Sequence, residues 1–119
     1  MKDALLDIQM LSCGYGDKTI LADINLAVAP GEIVTIIGPN GSGKTTFLRA
    51  VSRILVPRQG KILLFGEDIQ KMTPETMARK VAVVGQLREP VPMTVRDYVL
   101  LGRIPFYKRF QFIETDNDR

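Results

Sequence analysis

From Gly38 to Thr45 the chain reads Gly38-Pro39-Asn40-Gly41-Ser42-Gly43-Lys44-Thr45, which satisfies the pattern G-x-x-x-x-G-K-[ST] at every fixed position. Each fixed residue answers a physical need. Gly41 and Gly43 open backbone conformations closed to residues with a Cβ, so successive N–H groups can turn inward around an anion. A helix beginning near Lys44 aims its unpaired N–H groups and positive dipole end at the same point. Lys44 suits the β- and γ-phosphates of a nucleotide, and the Thr45 hydroxyl suits a magnesium ion. Thr46 adds a hydroxyl or backbone contact to the α-phosphate. The flanks agree. Ile33-Val34-Thr35-Ile36-Ile37 is an apolar β-branched run, and Phe47, Leu48, Val51, Ile54 and Leu55 follow at helical spacing. A chance glycine turn beside a solvated lysine accounts for neither flank.

The run Ile33 to Ile37 reads as a strand of a parallel sheet, buried on both faces. The helix from Lys44 to about Val56 is ended by Pro57. Before the loop, Leu5 to Leu11 alternates with Leu6, Ile8 and Met10 on one side, and Ile20 to Val28 alternates with Ile24, Leu26 and Val28 in phase. Gly14-Tyr15-Gly16-Asp17 joins them as a turn, and Pro30-Gly31 leads into the phosphate loop. After it, Lys61 to Phe65 predicts a strand and Gly66-Glu67-Asp68 a hairpin or loop. Thr73-Pro74-Glu75 opens a short helix ending near Lys80, with a capping hydroxyl, proline at the first position and an acid in the first turn. Val81 to Val84 predicts a buried strand, and Thr94-Val95-Arg96-Asp97 a capping box opening a helix through Leu101. The order is mixed α/β, with an antiparallel meander at the N-terminus.

Composition sets the outer limits. At 119 residues and 45% apolar content, the chain is one small domain or part of a larger one, and rich enough in apolar residues for a core. The single cysteine, Cys13, excludes an internal disulfide and suits a reducing compartment. Sixteen basic against 13 acidic residues leave a formal charge of +3, spread rather than blocked, so nucleic acid is not an expected partner. No run approaches the roughly 18 to 20 apolar residues that span a bilayer, and Met1-Lys2-Asp3 opens no leader pattern. A cytoplasmic location is expected.

Four stretches together resemble the ATPase subunit of ATP-binding cassette (ABC) transporters, a fold of the P-loop NTPase class, and the resemblance runs along essentially the whole chain. Tyr15 stands just before the second strand, where that family places an aromatic that stacks on adenine. Pro30-Gly31-Glu32 leading into Gly38 to Thr46 matches the family's phosphate loop, with its Pro39-Asn40 pair and doubled threonine. Pro57-Arg58-Gln59-Gly60 with Gly66 resembles the strand and turn that follow, and Val84-Gly85-Gln86 resembles the Q-loop. In the family the Q-loop glutamine contacts magnesium and senses the γ-phosphate. Thr94 to Pro105 further resembles importers of iron–siderophore chelates, haem, cobalamin and related metal chelates, although Phe106 stands where those often have histidine.

The resemblance implies ATP and Mg2+ as cofactors. It implies a homodimer of ATPase subunits seated on a membrane permease, at the inner face of the cell membrane. Tyr107, Phe110 and Phe112 would suit a partner surface or the remainder of their own domain. Hydrolysis in the family also needs an aspartate-ending magnesium strand, a glutamate that polarises water, a serine–glycine signature and a switch histidine. None of these is in the sequence, which contains no histidine at all. Ile62 to Phe65 followed by Glu67-Asp68 is a poor stand-in for the magnesium strand, since Gly66 intervenes and the acids come in reversed order. Residues 1–119 are therefore expected to be the N-terminal portion of one nucleotide-binding domain of roughly twice this length. Such a chain would bind ATP with Lys44 and Gln86 in supporting roles, without efficient turnover. A non-hydrolysing nucleotide- or partner-binding fragment, and a soluble cassette ATPase acting on nucleic acid, are the competing expectations.

Overall fold

A computed structural model describes residues 3–85 and 92–106, with the side chains of 104–106 excepted. It divides into two compact units, Met1–Met72 and Thr73–Arg119.

The first unit is built on a four-stranded antiparallel sheet in the order β2-β1-β3-β4, with β1 Leu6–Tyr15, β2 Lys18–Val28, β3 Gln59–Leu64 and β4 Glu67–Asp68. The N-terminal meander is present, but β1 runs four residues past Leu11. Gly14 and Tyr15 belong to the strand, leaving Gly16-Asp17 as the turn between Tyr15 and its partner Lys18. Leu6, Ile8 and Met10 do not share a face. Met10 has a φ of 47° and the register slips between Ile8 and Leu11, so a bulge sends Met10 outward and turns Leu11 into the core. Asn25 holds the bulge from β2: its Oδ1 accepts from the Met10 N–H at 2.9 Å.

Helix α1, Lys44–Val51, packs on β1 and β2 and buries Thr46, Phe47 and Ala50 against the sheet core of Ile8, Leu11, Cys13, Ile62 and Leu64. It ends before the expected Val56, and Pro57 is not the cause. Arg53 takes a left-handed φ of 66°, the Arg53 N–H donates to Ala50 O at 3.1 Å, and the Ile54 N–H donates to Arg49 O at 2.8 Å. This is a Schellman closure with arginine where glycine is usual. The Arg53 guanidinium then donates to the carbonyls of Ile69 (3.2 Å) and Met72, tying the helix end to the 3₁₀ turn Ile69–Lys71.

The main departure lies in Ile33 to Ile37. This segment pairs with no strand among the described residues, and Ile33 and Ile37 are 93% and 90% exposed. A β-branched run becomes a strand only when a neighbour supplies ladder hydrogen bonds, and here β2 departs from Val28 through the Pro30-Gly31 turn without offering one. The same holds for Val81 to Val84, where Val84 is 84% exposed and no ladder forms.

In the second unit, α2 (Pro74–Lys80) starts as the sequence indicates, the Thr73 side chain accepting from the Thr76 N–H at 3.1 Å. Helix α3 (Val95–Leu100) starts likewise, with Thr94 Oγ1 accepting from the Asp97 N–H at 3.1 Å. It passes into a 3₁₀ segment, Leu101–Phe106.

Candidate functional site

The site is the loop 38–43 together with the N-terminus of α1. Gly43 caps the helix at φ 101° and ψ 7°, a left-handed conformation, and offers no side-chain cap. A Cβ there would stand 2.7 Å from Leu21 Cδ2 and 3.1 Å from Ile20 Cγ2, so β2 presses on the loop as closely as glycine allows. The first turn holds no acid, and the earliest intrahelical bond outside the loop is Phe47 N–H to Gly43 O at 2.9 Å. The backbone N–H groups of the first turn thus have no intrahelical acceptor, and no carboxylate of that turn competes for them. An anion satisfies that arrangement.

Lys44 folds back over the loop. Its ammonium donates to the carbonyls of Gly38 and Pro39 (2.8 Å) and lies 3.3 Å from Ser42 Oγ. The loop is closed further by the Ser42 N–H to Pro39 O bond at 3.2 Å. A positive charge is therefore held over a backbone cradle by weak neutral acceptors, which an anion can outcompete. Thr45 is exposed beside it, while Thr46 is buried under the helix. A magnesium ion bound to nucleotide takes one or two protein oxygens and completes its shell with phosphates and water, so the exposed Thr45 hydroxyl fits that role. Among the described residues no group of three or more His, Cys, Asp or Glu could hold a metal alone. Asp68 is engaged elsewhere, its Oδ1 accepting from the Gln70 N–H at 2.9 Å, and Glu67 pairs with Leu64 in the β3–β4 hairpin.

Beside the loop, a cavity of about 310 Å3 is lined by Leu21, Ile24, Leu26, Ile36, Ile37 and Phe47, with Ser42, Gly43 and Lys44 at its polar side. Tyr15 closes β1 and is 43% exposed. The Arg49 Nη1–H donates to its hydroxyl at 3.1 Å. Hydrogen bonds to the Thr46 and Arg49 side chains hold its phenol below the usual tyrosine value. Loop, helix and Tyr15 thus come together in one unit. Gln86 lies outside the described residues, as do Tyr107, Phe110 and Phe112. Arg49 was not evident in the sequence. It stands 34 positions from Tyr15, and its only local signal is its place three residues after Thr46 on the helix.

A family model described as ABC transporter matches residues 21–117. The chain belongs to this family. It is homologous to siderophore-importer ATP-binding subunits of ABC transporters. It is 39% identical over 115 residues to the iron(3+)-hydroxamate import ATP-binding protein FhuC of Bacillus subtilis, covering 96% of the chain and 42% of that protein. It is 36% identical over 103 residues to the ferric enterobactin transport ATP-binding protein FepC of Escherichia coli, covering 86% of the chain and 38% of that protein. The chain therefore spans about two fifths of the length of these relatives. Among solved structures, an ATP-binding subunit of an ABC transporter superposes with a TM-score of 0.77 at 30% identity, over 86% of this chain and 42% of that one. The ABC-type fold is thus present in part, with the antiparallel sheet at its N-terminus. No helix among the described residues is long and apolar enough to cross a membrane.

Proposed function

We propose that this chain is the phosphate-loop portion, residues 1–119, of the ATP-binding subunit of an importer for iron–siderophore or related metal chelates. The observation that carries the reading is the uncapped, acid-free N-terminus of α1, reached through left-handed Gly43 and overhung by the Lys44 ammonium. Backbone N–H groups of Asn40, Gly41 and Gly43 would line the cradle, while that of Ser42 closes the loop on Pro39. Lys44 would exchange its carbonyl partners for β- and γ-phosphate oxygens, and Thr46 would add a contact to the α-phosphate. Tyr15 offers a ring for the adenine, a stacking contact worth about 1 kcal/mol.

Thr45 and Gln86 would hold the magnesium ion. The ion, when bound, neutralises charge on the β- and γ-oxygens. The chain's own residues would bind and orient the nucleotide; the sequence has no histidine, and no carboxylate lines the cavity beside the loop. Binding without efficient turnover follows for the chain by itself. In the whole protein, two such subunits close on ATP against a membrane permease at the cytoplasmic face. The relatives' names, importers of ferric hydroxamate and ferric enterobactin, support the substrate class.

Titration of the chain with a fluorescent MgATP analogue tests the reading. Binding is expected in the parent chain and is expected to vanish in Lys44→Ala; an unchanged affinity in that variant overturns it.

A further inference from the structure

Tyr15 sits at the tip of a two-strand hairpin, next to the Gly16-Asp17 turn. Such a tip would swing were it held by ladder bonds alone. Two arginines grip it. Arg58 donates to Gly16 O and lies 3.4 Å from Thr19 Oγ1, while its own N–H donates to Ser12 O at 2.8 Å, which secures the turn to the start of β3. Arg49 donates to the Tyr15 hydroxyl at 3.1 Å.

Thr46 and Arg49 stand three apart on α1, so they share one helix face. Both are firmly based. Thr46 is buried, and the Arg49 carbonyl is the acceptor of the Schellman closure, receiving the N–H groups of Ile54 (2.8 Å) and Leu55 (3.1 Å). The helix that carries Lys44 and Thr45 at its start thereby holds the aromatic ring by its rim oxygen. With its hydroxyl held at the rim, Tyr15 remains 43% exposed.

We propose that Arg49 is a positioning residue, which fixes the Tyr15 ring at a set distance from the phosphate cradle so that base and phosphates of one nucleotide are met together. The inference rests on the nucleotide reading above. It also gives the Tyr15 hydroxyl a task that phenylalanine could not perform.

The test compares two ligands on the full chain by calorimetry: MgATP, which has a base, and magnesium tripolyphosphate, which has none. Arg49→Met keeps the stem and removes the donors. It is expected to weaken MgATP about three- to tenfold, as loss of one solvent-exposed hydrogen bond does, and to leave tripolyphosphate affinity unchanged. Tyr15→Phe is expected to lose the same amount, the double variant no more than either, and Arg49→Lys to recover part of it. Equal losses for both ligands, or additive losses in the double variant, overturn the proposal.

A second readout needs no nucleotide. Ring-carbon NMR titration of the three tyrosines, with Tyr15→Phe assigning the signal, is expected to show the Tyr15 phenol titrating below the usual value and moving upward in Arg49→Met. An unmoved titration overturns the Arg49 link. Failure of the parent chain to bind MgATP, by contrast, sinks the nucleotide reading, and the phenol titration still decides whether Arg49 holds Tyr15.

Discussion

Replacement of Gly43 by alanine separates two costs that the phosphate loop normally hides. The first is backbone strain. Gly43 has φ 101°, and a residue with a Cβ in left-handed space costs about 1–2 kcal/mol. The second is steric: the new methyl would stand 2.7 Å from Leu21 Cδ2 and 3.1 Å from Ile20 Cγ2. Both neighbours are ends of half-buried side chains that can turn aside, so this part falls at about 1 kcal/mol, the low end of overpacking costs. Gly41→Ala is the control. Its φ is 84°, but its Cβ would meet nothing within 4 Å, so it carries the strain alone. Urea unfolding followed by far-UV circular dichroism should show a loss of about 2–3 kcal/mol for Gly43→Ala and about 1–2 kcal/mol for Gly41→Ala. With a slope near 1.5 kcal/mol per M, the first lowers the midpoint by roughly 1–2 M. Equal losses in the two variants would remove the steric part of the argument. A loss under about 0.5 kcal/mol for Gly43→Ala would refute the loop conformation itself, since strain alone exceeds that.

Two further outcomes are expected. Cys13 is fully buried, and burial pushes its thiol above the usual value against a smaller opposing pull from Arg58. The folded chain then keeps a proton that the unfolded chain loses near pH 8.5, so stability should fall as pH rises through and above that value. Tyr15, whose phenol is shifted downward, contributes with the opposite sign, and comparison with Cys13→Ala cancels it. Parallel pH profiles for parent and variant, by urea midpoint between pH 7.5 and about 10, would contradict the burial argument. At Ile33 and Ile37, lysine in place of each isoleucine should change the stability of this chain by less than about 0.5 kcal/mol, because neither side chain is buried. Sedimentation should show less self-association in that double variant, as expected when an exposed β-branched run acquires charge; a loss above about 1 kcal/mol would show that the run is packed.

Much of the local structure was legible because it depends on neighbours in sequence. The Thr73 and Thr94 caps, the Gly43–Lys44 helix start and the alternation of Ile24, Leu26 and Val28 each rest on residues within a few positions of one another. The bulge at Met10 was not legible, because Asn25 on the opposite strand holds it. Nor was the end of α1, where Pro57 is the obvious stop but the helix ends at Val51 and closes at left-handed Arg53, held by Ile69 and Met72. The expected strand at Ile33 to Ile37 failed for a related reason. A strand's existence depends on its partners, whereas a helix closes its own hydrogen bonds.

The same division runs through the site. By itself the sequence determined the chemistry on offer: glycines at 41 and 43, a lysine and a hydroxyl at the helix start, a tyrosine near the second strand, and no histidine anywhere. These are statements about which groups exist and how closely they follow one another along the chain. Only the tertiary structure decided that Tyr15 and the phosphate helix are joined, because the join is a hydrogen bond from Arg49 across 34 residues, placed by β1 packing against α1. Spacing along a chain sets local geometry through a few torsions, but distance between remote groups is set by packing, and packing is what the folded chain alone supplies.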